Sequence, residues 1–231
     1  MTELLRDSSV WGAVLTAGCF CLFFLLQKKV RKPWCNPLLF SSMTISVLLL
    51  TGGIPYAQYR DTSSVLSWLL LPATVSLAVP LYEQWKLLKQ NWPAVFCGIF
   101  AGVVTSLACA VVLAKLFSLP ADVAVSFLPK SVTTAIGADI SEELGGIPAL
   151  SIVLIILTGI AGNMMAPFLC RVFRLRHAVS RGIATGTCSH AIGTARAMEM
   201  GEAEGAMSGL AIAAAGIMTA MLVPLAARLL T

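Results

Sequence analysis

Apolar runs of about 18 or more residues recur along nearly the whole chain, and each could cross the hydrocarbon core of a bilayer as an α-helix. Only 12% of the 231 residues are charged, about half the proportion that is typical of a soluble domain. A transmembrane barrel would need short segments of alternating hydrophobicity, and the sequence lacks them. The pattern therefore predicts an all-α polytopic membrane protein. Its net charge of +5 then reports topology, and we expect no nucleic-acid partner.

The hydropathy pattern predicts six full crossings and two weaker segments. The crossings span residues 10–26, 37–51, 63–81, 93–117, 147–170 and 206–229. The weaker segments, 123–140 and 182–198, are short, rich in glycine, serine and threonine, and interrupted by charge. The first run follows acidic residues and no small-residue cleavage site comes after it, so we expect a retained helix and not a signal peptide.

The basic residues between the apolar runs orient the chain by the positive-inside rule. The basic clusters at 28–32 and 171–181 are then cytoplasmic, and the loop at 115–122 lies outside. Two apolar segments separate this loop from the second cluster, although an odd number of crossings is needed. The simplest solution is that 123–140 enters and leaves on the outer face and 182–198 on the inner face. Alternatively, both segments cross fully as broken helices.

A sequence repeat agrees with this arrangement. Ala135-Ile-Gly137 recurs as Ala191-Ile-Gly193, and Gly159 recurs as Gly216 about 57 residues further on. The repeat units, 122–170 and 182–229, would have opposite orientations within a single transmembrane domain that covers 1–231. Inverted repeats with interrupted helices are typical of secondary transporters.

The two weaker segments place cations and hydroxyl groups where the hydropathy predicts hydrocarbon. A charge at membrane depth costs at least about 2.5–3.5 kcal/mol and is rarely kept there without a role. Breaks at glycine and proline expose helix N-termini, which attract anions. We therefore predict a binding site for a small carboxylate. Its candidate residues are Lys130, Ser131, Thr133, Thr134, Ser189, His190, Thr194, Arg196 and Asn36.

In this hypothesis each group has a role. Lys130 and Arg196 hold the carboxylate, because a lysine serves as a point charge and a guanidinium binds a carboxylate with two hydrogen bonds. The hydroxyls bind substrate OH groups, and His190 polarises the substrate or relays a proton. Alternatively, the ammonium of Lys130 reaches interfacial water. Arg196 could instead pair with Glu199, or with one of the two glutamates at 142–143.

Structural roles also remain open for the other candidates. His190 could be a packing histidine, the serines and threonines could join helices by hydrogen bonds, and Asn36 could mark the start of a helix before Pro37. The seven cysteines include no C-x-x-C pair, so we predict no metal site, disulfide framework or cofactor. Ser189 and His190 would diverge by about 100° on one helix, and no hydrolase motif is present. We therefore predict that the protein is not an enzyme.

Five motifs carry a family resemblance. They are Asn36-Pro-Leu-Leu39, Pro80-Leu-Tyr-Glu83, Leu128-Pro-Lys-Ser-Val-Thr-Thr134, Gly145-Gly-Ile-Pro-Ala149 and Gly186-Thr-Cys-Ser-His-Ala-Ile-Gly-Thr-Ala-Arg196. Together they resemble the LrgB/CidB membrane proteins over nearly the whole chain. One departure is Ala135, where the family pattern has proline.

The resemblance implies two functions. Bacterial members are described as holin-like or antiholin-like partners of small LrgA/CidA-type membrane proteins, which modulate murein hydrolases and cell lysis. A plastid relative exports glycolate and glycerate. From the residues we favour a secondary transporter or facilitator of small monocarboxylates, of the glycolate, glycerate, lactate or pyruvate class. The alternative is a holin-like or antiholin-like regulator. In both cases we expect a multi-pass homo-oligomer in the bacterial cytoplasmic (inner) membrane.

Overall fold

The structure is a computed structural model that describes residues 10–30, 37–76 and 78–230. These residues form α-helices joined by turns, with no strand among them. The prediction of an all-α polytopic protein is therefore confirmed. The chain divides into two compact units, Met1–Ser76 and Leu77–Thr231, and the candidate residues that can be placed lie in the second unit.

The N-terminal unit contains four described helices. They are α1 (Trp11–Val30), α2 (Pro37–Thr51), α3 (Tyr56–Thr62) and α4 (Ser64–Ser76). α1 packs against α2 and α3, and the hydroxyls of Thr16 and Tyr59 share a hydrogen bond of 2.6 Å. Most of the apolar side chains of α1 are half-buried or exposed, as expected of a surface that contacts lipid.

The C-terminal unit contains seven described helices. Its described helices are α5 (Ala78–Glu83), α6 (Trp85–Leu116), α7 (Ala121–Phe127), α8 (Thr134–Glu143), α9 (Pro148–Val172), α10 (Ala178–Met200) and α11 (Glu202–Ala227). α6 packs against α10 and α11. Its buried side chains recur every three or four residues, which is the spacing of one helix face. They include Val95, Ile99, Val103 and Leu107.

Four of the six predicted crossings correspond to helices that are long and apolar enough to span a membrane, namely α1, α6, α9 and α11. α2 has the predicted bounds, 37–51, but its 15 apolar residues are fewer than a full crossing ordinarily needs. The predicted crossing 63–81 differs from the structure, because it is divided between α4 and α5, with residue 77 outside the described residues. α6 begins at Trp85 and not near Pro93, because a proline removes only one backbone donor and can bend a helix without ending it.

Residues 121–143 form a helical hairpin, which we call hairpin 1. Gly146, just before α9, faces the hydroxyls of both Ser126, near the end of α7, and Ser141, near the end of α8. Gly137, near the start of α8, packs against Ile155, about two turns inside α9. α8 is therefore antiparallel to α9, and it returns to the end of the unit where α9 begins.

Residues 178–200 form a second hairpin, hairpin 2, although they make one nearly uninterrupted helical segment. The backbone of His190 has φ 42° and ψ −139°, which is not helical. A Cβ atom on Gly193 would lie 2.9 Å from the carbonyl oxygen of Thr185. Eight residues span about 12 Å along a straight helix, so α10 reverses its direction at His190.

The contacts of α10 with α11 show the same reversal. Gly182, before the reversal, packs against the backbone of Glu204. Met198, after the reversal, packs against Gly205, the next residue of α11. Both ends of hairpin 2 therefore lie beside the first turn of α11. The sequence left open whether 123–140 and 182–198 are re-entrant or cross fully as broken helices. In the structure both are re-entrant, because each enters and returns at the same end of the unit.

The two hairpins make a testable prediction about topology. Because α9 connects them, cysteines at the ends of hairpin 1 (Ala121→Cys and Glu143→Cys) should react with a membrane-impermeant maleimide from one side of the membrane. Cysteines that flank hairpin 2 (His177→Cys and Glu202→Cys) should react from the other side. The measurement uses intact cells and inverted vesicles, in a background whose native cysteines are serine. Labelling of one hairpin's two ends from opposite sides would contradict the fold.

Candidate functional site

The tips of the two hairpins meet on adjacent turns of α6. A Cβ atom on Gly102 would lie 2.8 Å from the Cγ2 of Thr187 in hairpin 2. One helical turn further along α6, the Ser106 hydroxyl accepts a hydrogen bond of 2.9 Å from Lys130 Nζ in hairpin 1. Lys130 also lies within electrostatic range of Cys188, next to Thr187. The structure therefore brings the two polar stretches of the sequence together.

Lys130 is the centre of a small polar cluster. Its half-buried ammonium donates hydrogen bonds to Ser106 (2.9 Å) and Ser131 (3.4 Å), whose hydroxyls also share a hydrogen bond of 2.8 Å. Over the described residues, no carboxylate lies within ion-pair distance of Lys130. The buried Thr187 Oγ1 has no hydrogen-bond partner in the same part of the chain. The cluster combines an uncompensated cation with several hydroxyls, and this chemistry suits a small anion. We call it the Lys130 cluster (Ser106, Lys130 and Ser131), and Thr187 packs one helical turn away along α6, at Gly102.

His190 faces a neighbouring helix. Its buried ring donates a hydrogen bond of 3.0 Å from Nε2 to the carbonyl of Ile155 in α9. A Cβ atom on Gly159 would lie 2.7 Å from the ring, so this glycine makes room for it. The backbone of His190 is in a conformation that glycine tolerates but that costs any other residue, histidine included, about 1–3 kcal/mol. The ring contacts hold the chain in this conformation.

The other predicted hydroxyls in hairpin 2 bind or contact neighbouring helices. Thr194 donates to the carbonyl of His190 (3.0 Å) and shares a hydrogen bond of 2.7 Å with Ser208 of α11. Ser189 is buried against Gly162 of α9. In hairpin 1, residue 133 is half-buried and precedes α8, and residue 134 is exposed at its start.

Arg196 pairs with Glu199 in its own helix, which is one of the alternatives predicted from the sequence. Its Nη1 makes an ion pair with Glu199, and both side chains are partly exposed on the half of α10 that follows the reversal. No contact joins it to Lys130 in the described part of the chain. Asn36 lies outside the described residues.

Neither Ser106 nor Thr187 is predicted from the sequence as a site residue. Ser106 lies inside a long apolar helix, away from both weaker segments, and only its hydroxyl in an otherwise apolar run could have drawn attention to it. Gly159 of α9 is part of the repeat in the sequence, but its contact with hairpin 2 is not predicted. A single sequence gives no signal of such a close approach.

The two Ala-Ile-Gly motifs make reciprocal contacts. A Cβ atom on Gly159 of α9 would lie 2.8 Å from the Cδ1 of Ile192 in hairpin 2. A Cβ atom on Gly216 of α11 would lie 3.2 Å from the Cδ1 of Ile136 in hairpin 1. Each hairpin therefore packs its isoleucine on the long helix that follows the other hairpin. The partner glycines are those that recur about 57 residues apart.

These features define a multi-pass α-helical membrane protein whose two hairpins meet at a polar centre. The chain belongs to the LrgB-like family, whose model matches residues 16–229. It is therefore a protein of a bacterial membrane.

Relatives match nearly the full length of the chain. The antiholin-like protein LrgB of Bacillus subtilis (strain 168) is 32% identical over 224 residues, which cover 96% of this chain and 97% of that protein. The holin-like protein CidB of Staphylococcus aureus (strain Mu50) is 34% identical over 211 residues, 91% of this chain and 92% of that protein. No solved structure matches the chain significantly.

Proposed function

We propose that the protein is a secondary transporter or facilitator of small monocarboxylates across the bacterial cytoplasmic membrane. The observation that carries this proposal is the ammonium of Lys130, which lies where the hairpin tips meet and has no carboxylate partner among the described residues. A charge in an apolar protein is costly without an opposite charge or a full set of hydrogen bonds. The carboxylate of a passing substrate would supply the opposite charge.

The hydroxyls of the Lys130 cluster and of Thr187 favour a small substrate that carries its own hydroxyl or carbonyl group. Ser106 and Ser131 already bind the ammonium, and Thr187 Oγ1 is buried and has no partner among the described residues. A carboxylate on Lys130 would place the α-substituent of a 2-hydroxy or 2-oxo acid near these hydroxyls. Glycolate, glycerate, lactate and pyruvate are the class that we expect.

The arrangement of the hairpins supports movement of a solute between the two sides. Interrupted segments from units of opposite orientation, with a binding site between their tips, are typical of secondary transporters. The reciprocal contacts of Ile136 with Gly216 and of Ile192 with Gly159 are consistent with two related units. We infer that residues 122–170 and 182–229 are an inverted repeat that rocks around the Lys130 cluster.

In this mechanism Arg196 and His190 have roles that differ from those predicted from the sequence. Lys130 holds the carboxylate, whereas Arg196 is engaged by Glu199 at a distance from the cluster along hairpin 2. His190 positions the tip of hairpin 2 through the Ile155 carbonyl. In this mechanism it is a positioning residue.

Lys130→Gln is expected to raise the half-saturating substrate concentration by about 10-fold to 100-fold, because a hydrogen bond to a charged group contributes about 1.5–3 kcal/mol. The measurement is uptake of radiolabelled lactate by proteoliposomes. Lys115→Gln is the matched control, since Lys115 is exposed at the end of α6. Undiminished uptake by Lys130→Gln would show that the Lys130 cluster does not bind the substrate.

A second candidate function is regulation of cell lysis as a holin-like or antiholin-like protein. It is favoured by the comparisons, because full-length relatives carry both names. In this case the protein would act as an oligomer with an LrgA/CidA-type membrane protein, and the hairpins would serve the assembly. The test is release of a cytoplasmic enzyme from cells that carry each variant. A lysis phenotype that survives changes at Lys130, His190 and Arg196 but is lost with changes on exposed helix faces would favour regulation over transport.

A further inference from the structure

A second charged site lies at the open end of hairpin 2, away from the Lys130 cluster. Arg181, in the first turn of α10, makes a salt bridge of 2.5 Å from Nη2 to Oε1 of Glu204, in the first turn of α11. The side chain of Glu204 is only 6% exposed, and that of Arg181 is 33% exposed. From the sequence alone, Arg181 is one of the loop charges that report topology.

The local backbone makes room for the Glu204 carboxylate. A Cβ atom on Gly201 would lie 2.5 Å from Glu204 Oε2, and one on Gly182 would overlap the Glu204 carbonyl. The guanidinium is not fully used, because the buried Arg181 Nε has no hydrogen-bond partner among the described residues. A guanidinium can bind a carboxylate through two parallel hydrogen bonds. The ion pair with Glu204 therefore leaves part of the hydrogen-bonding capacity of Arg181 unused.

The fold of a hairpin does not itself need this ion pair. The open end of hairpin 1 is joined to α9 by neutral groups. The hydroxyl of Ser126 accepts a hydrogen bond of 2.7 Å from the backbone of Ile147, and its carbonyl accepts one of 2.9 Å from Ser151. A buried ion pair is weak evidence for stability, since its desolvation offsets much of the attraction. The pair at hairpin 2 therefore calls for a role beyond closing the hairpin.

We propose that Arg181 is a second carboxylate-binding site, which Glu204 occupies in the closed state and which the substrate carboxylate takes over during passage. This inference rests on the proposed transport function. When the substrate replaces Glu204 on the guanidinium, hairpin 2 loses its ionic link to α11 and can move.

The test is concentration-dependent uptake of radiolabelled lactate by proteoliposomes that contain the full chain. Glu204→Gln removes the competing carboxylate and should lower the half-saturating concentration by about tenfold. Arg181→Gln should raise it by about tenfold, and Arg181→Gln/Glu204→Gln should keep that raised value. Arg176→Gln is the matched control, because this exposed arginine belongs to the same basic segment.

The double variant Arg181→Gln/Glu204→Gln distinguishes a role of Arg181 in substrate binding from a purely structural role of the ion pair. Since it leaves no unpaired charge, its unfolding temperature should be close to that of the unaltered protein even if Arg181→Gln alone is unstable. Recovery of normal lactate uptake in the double variant would overturn the inference, because a purely structural pair predicts this result. The uncharged ester methyl lactate is the probe control, and Glu204→Gln should leave its entry unchanged.

The same measurements distinguish a failure of the proposed transport function from a failure of the inference about Arg181. If the unaltered protein takes up no more lactate and no more glycolate, glycerate or pyruvate than protein-free liposomes do, both proposals are wrong. If it takes up lactate and Lys130→Gln impairs the uptake while Arg181→Gln and Glu204→Gln leave it unchanged, only the inference about Arg181 is wrong.

Discussion

Gly186→Ala is expected to destabilise the protein by about 1–3 kcal/mol or more, which is the range for overpacking a tight contact. The new Cβ atom would overlap the backbone carbonyl of Ser208 and lie 2.9 Å from the Cβ of Ala211. Because the first obstacle is backbone and not the end of a flexible side chain, α10 and α11 would have to separate. The measurement is thermal unfolding in detergent, followed by size-exclusion chromatography of the remaining folded protein.

Gly18→Ala is the control for this substitution. Gly18 lies inside α1, and a Cβ atom there would meet nothing within 4 Å. Glycine inside a helix is about 0.5–1 kcal/mol less favourable than alanine, so this variant should be as stable as the unaltered protein or slightly more stable. Equal unfolding temperatures for the two alanine variants would contradict the close contact of hairpin 2 with α11.

Substitutions at His190 are expected to give the second large loss of stability, and His190→Gly should destabilise the protein less than His190→Ala. His190→Ala removes the hydrogen bond to Ile155 and the ring that packs on Gly159, but it keeps a side chain at a positive φ. We expect a loss of about 2–4 kcal/mol. His190→Gly loses the same contacts but relieves the backbone strain, so it should be about 1 kcal/mol more stable than His190→Ala.

In an ordinary helix, alanine is more stable than glycine, which is the reverse of the order expected at residue 190. Ala184 provides the comparison. It lies within the regular first half of hairpin 2, so Ala184→Gly should cost about 1 kcal/mol. The measurement is again thermal unfolding of the purified variants in detergent. If His190→Gly proved less stable than His190→Ala, the chain would not reverse at this residue.

The fold of the hairpins could be predicted from the sequence in outline, because their signals are local. The segments 123–140 and 182–198 are the ones that concentrate glycine, hydroxyl and charged residues in a short stretch, and the basic cluster at 171–181 is most simply explained if each segment returns to the side from which it came. The position of the second reversal could not be predicted. A histidine does not favour a positive φ strongly enough, and its hydrogen bond to α9 depends on tertiary packing.

The site could be predicted only in part, since its residues come from separate helices. Lys130 and Ser131 were identified because a charge and hydroxyls in an apolar run are costly. Ser106 was missed because a single serine in an apolar helix is inexpensive and common. Arg196 satisfied its charge with Glu199, three residues away, and this local alternative required no tertiary partner.

Glu204 shows a different limit of the sequence. A glutamate in the first turn of a helix ordinarily lies in solvent, where it interacts favourably with the helix dipole. Here Gly201 and Gly182 let the chain close around it, so the carboxylate is buried against Arg181. The sequence around Glu204 does not predict this ion pair, because Arg181 lies in the first turn of α10, in a different helix.

The reciprocal packing of the two Ala-Ile-Gly motifs has a consequence for dividing the chain. Ile136 contacts Gly216 and Ile192 contacts Gly159, so each hairpin packs on a helix from the other half. A polypeptide that ended between the two hairpins would therefore leave both isoleucines without these contacts.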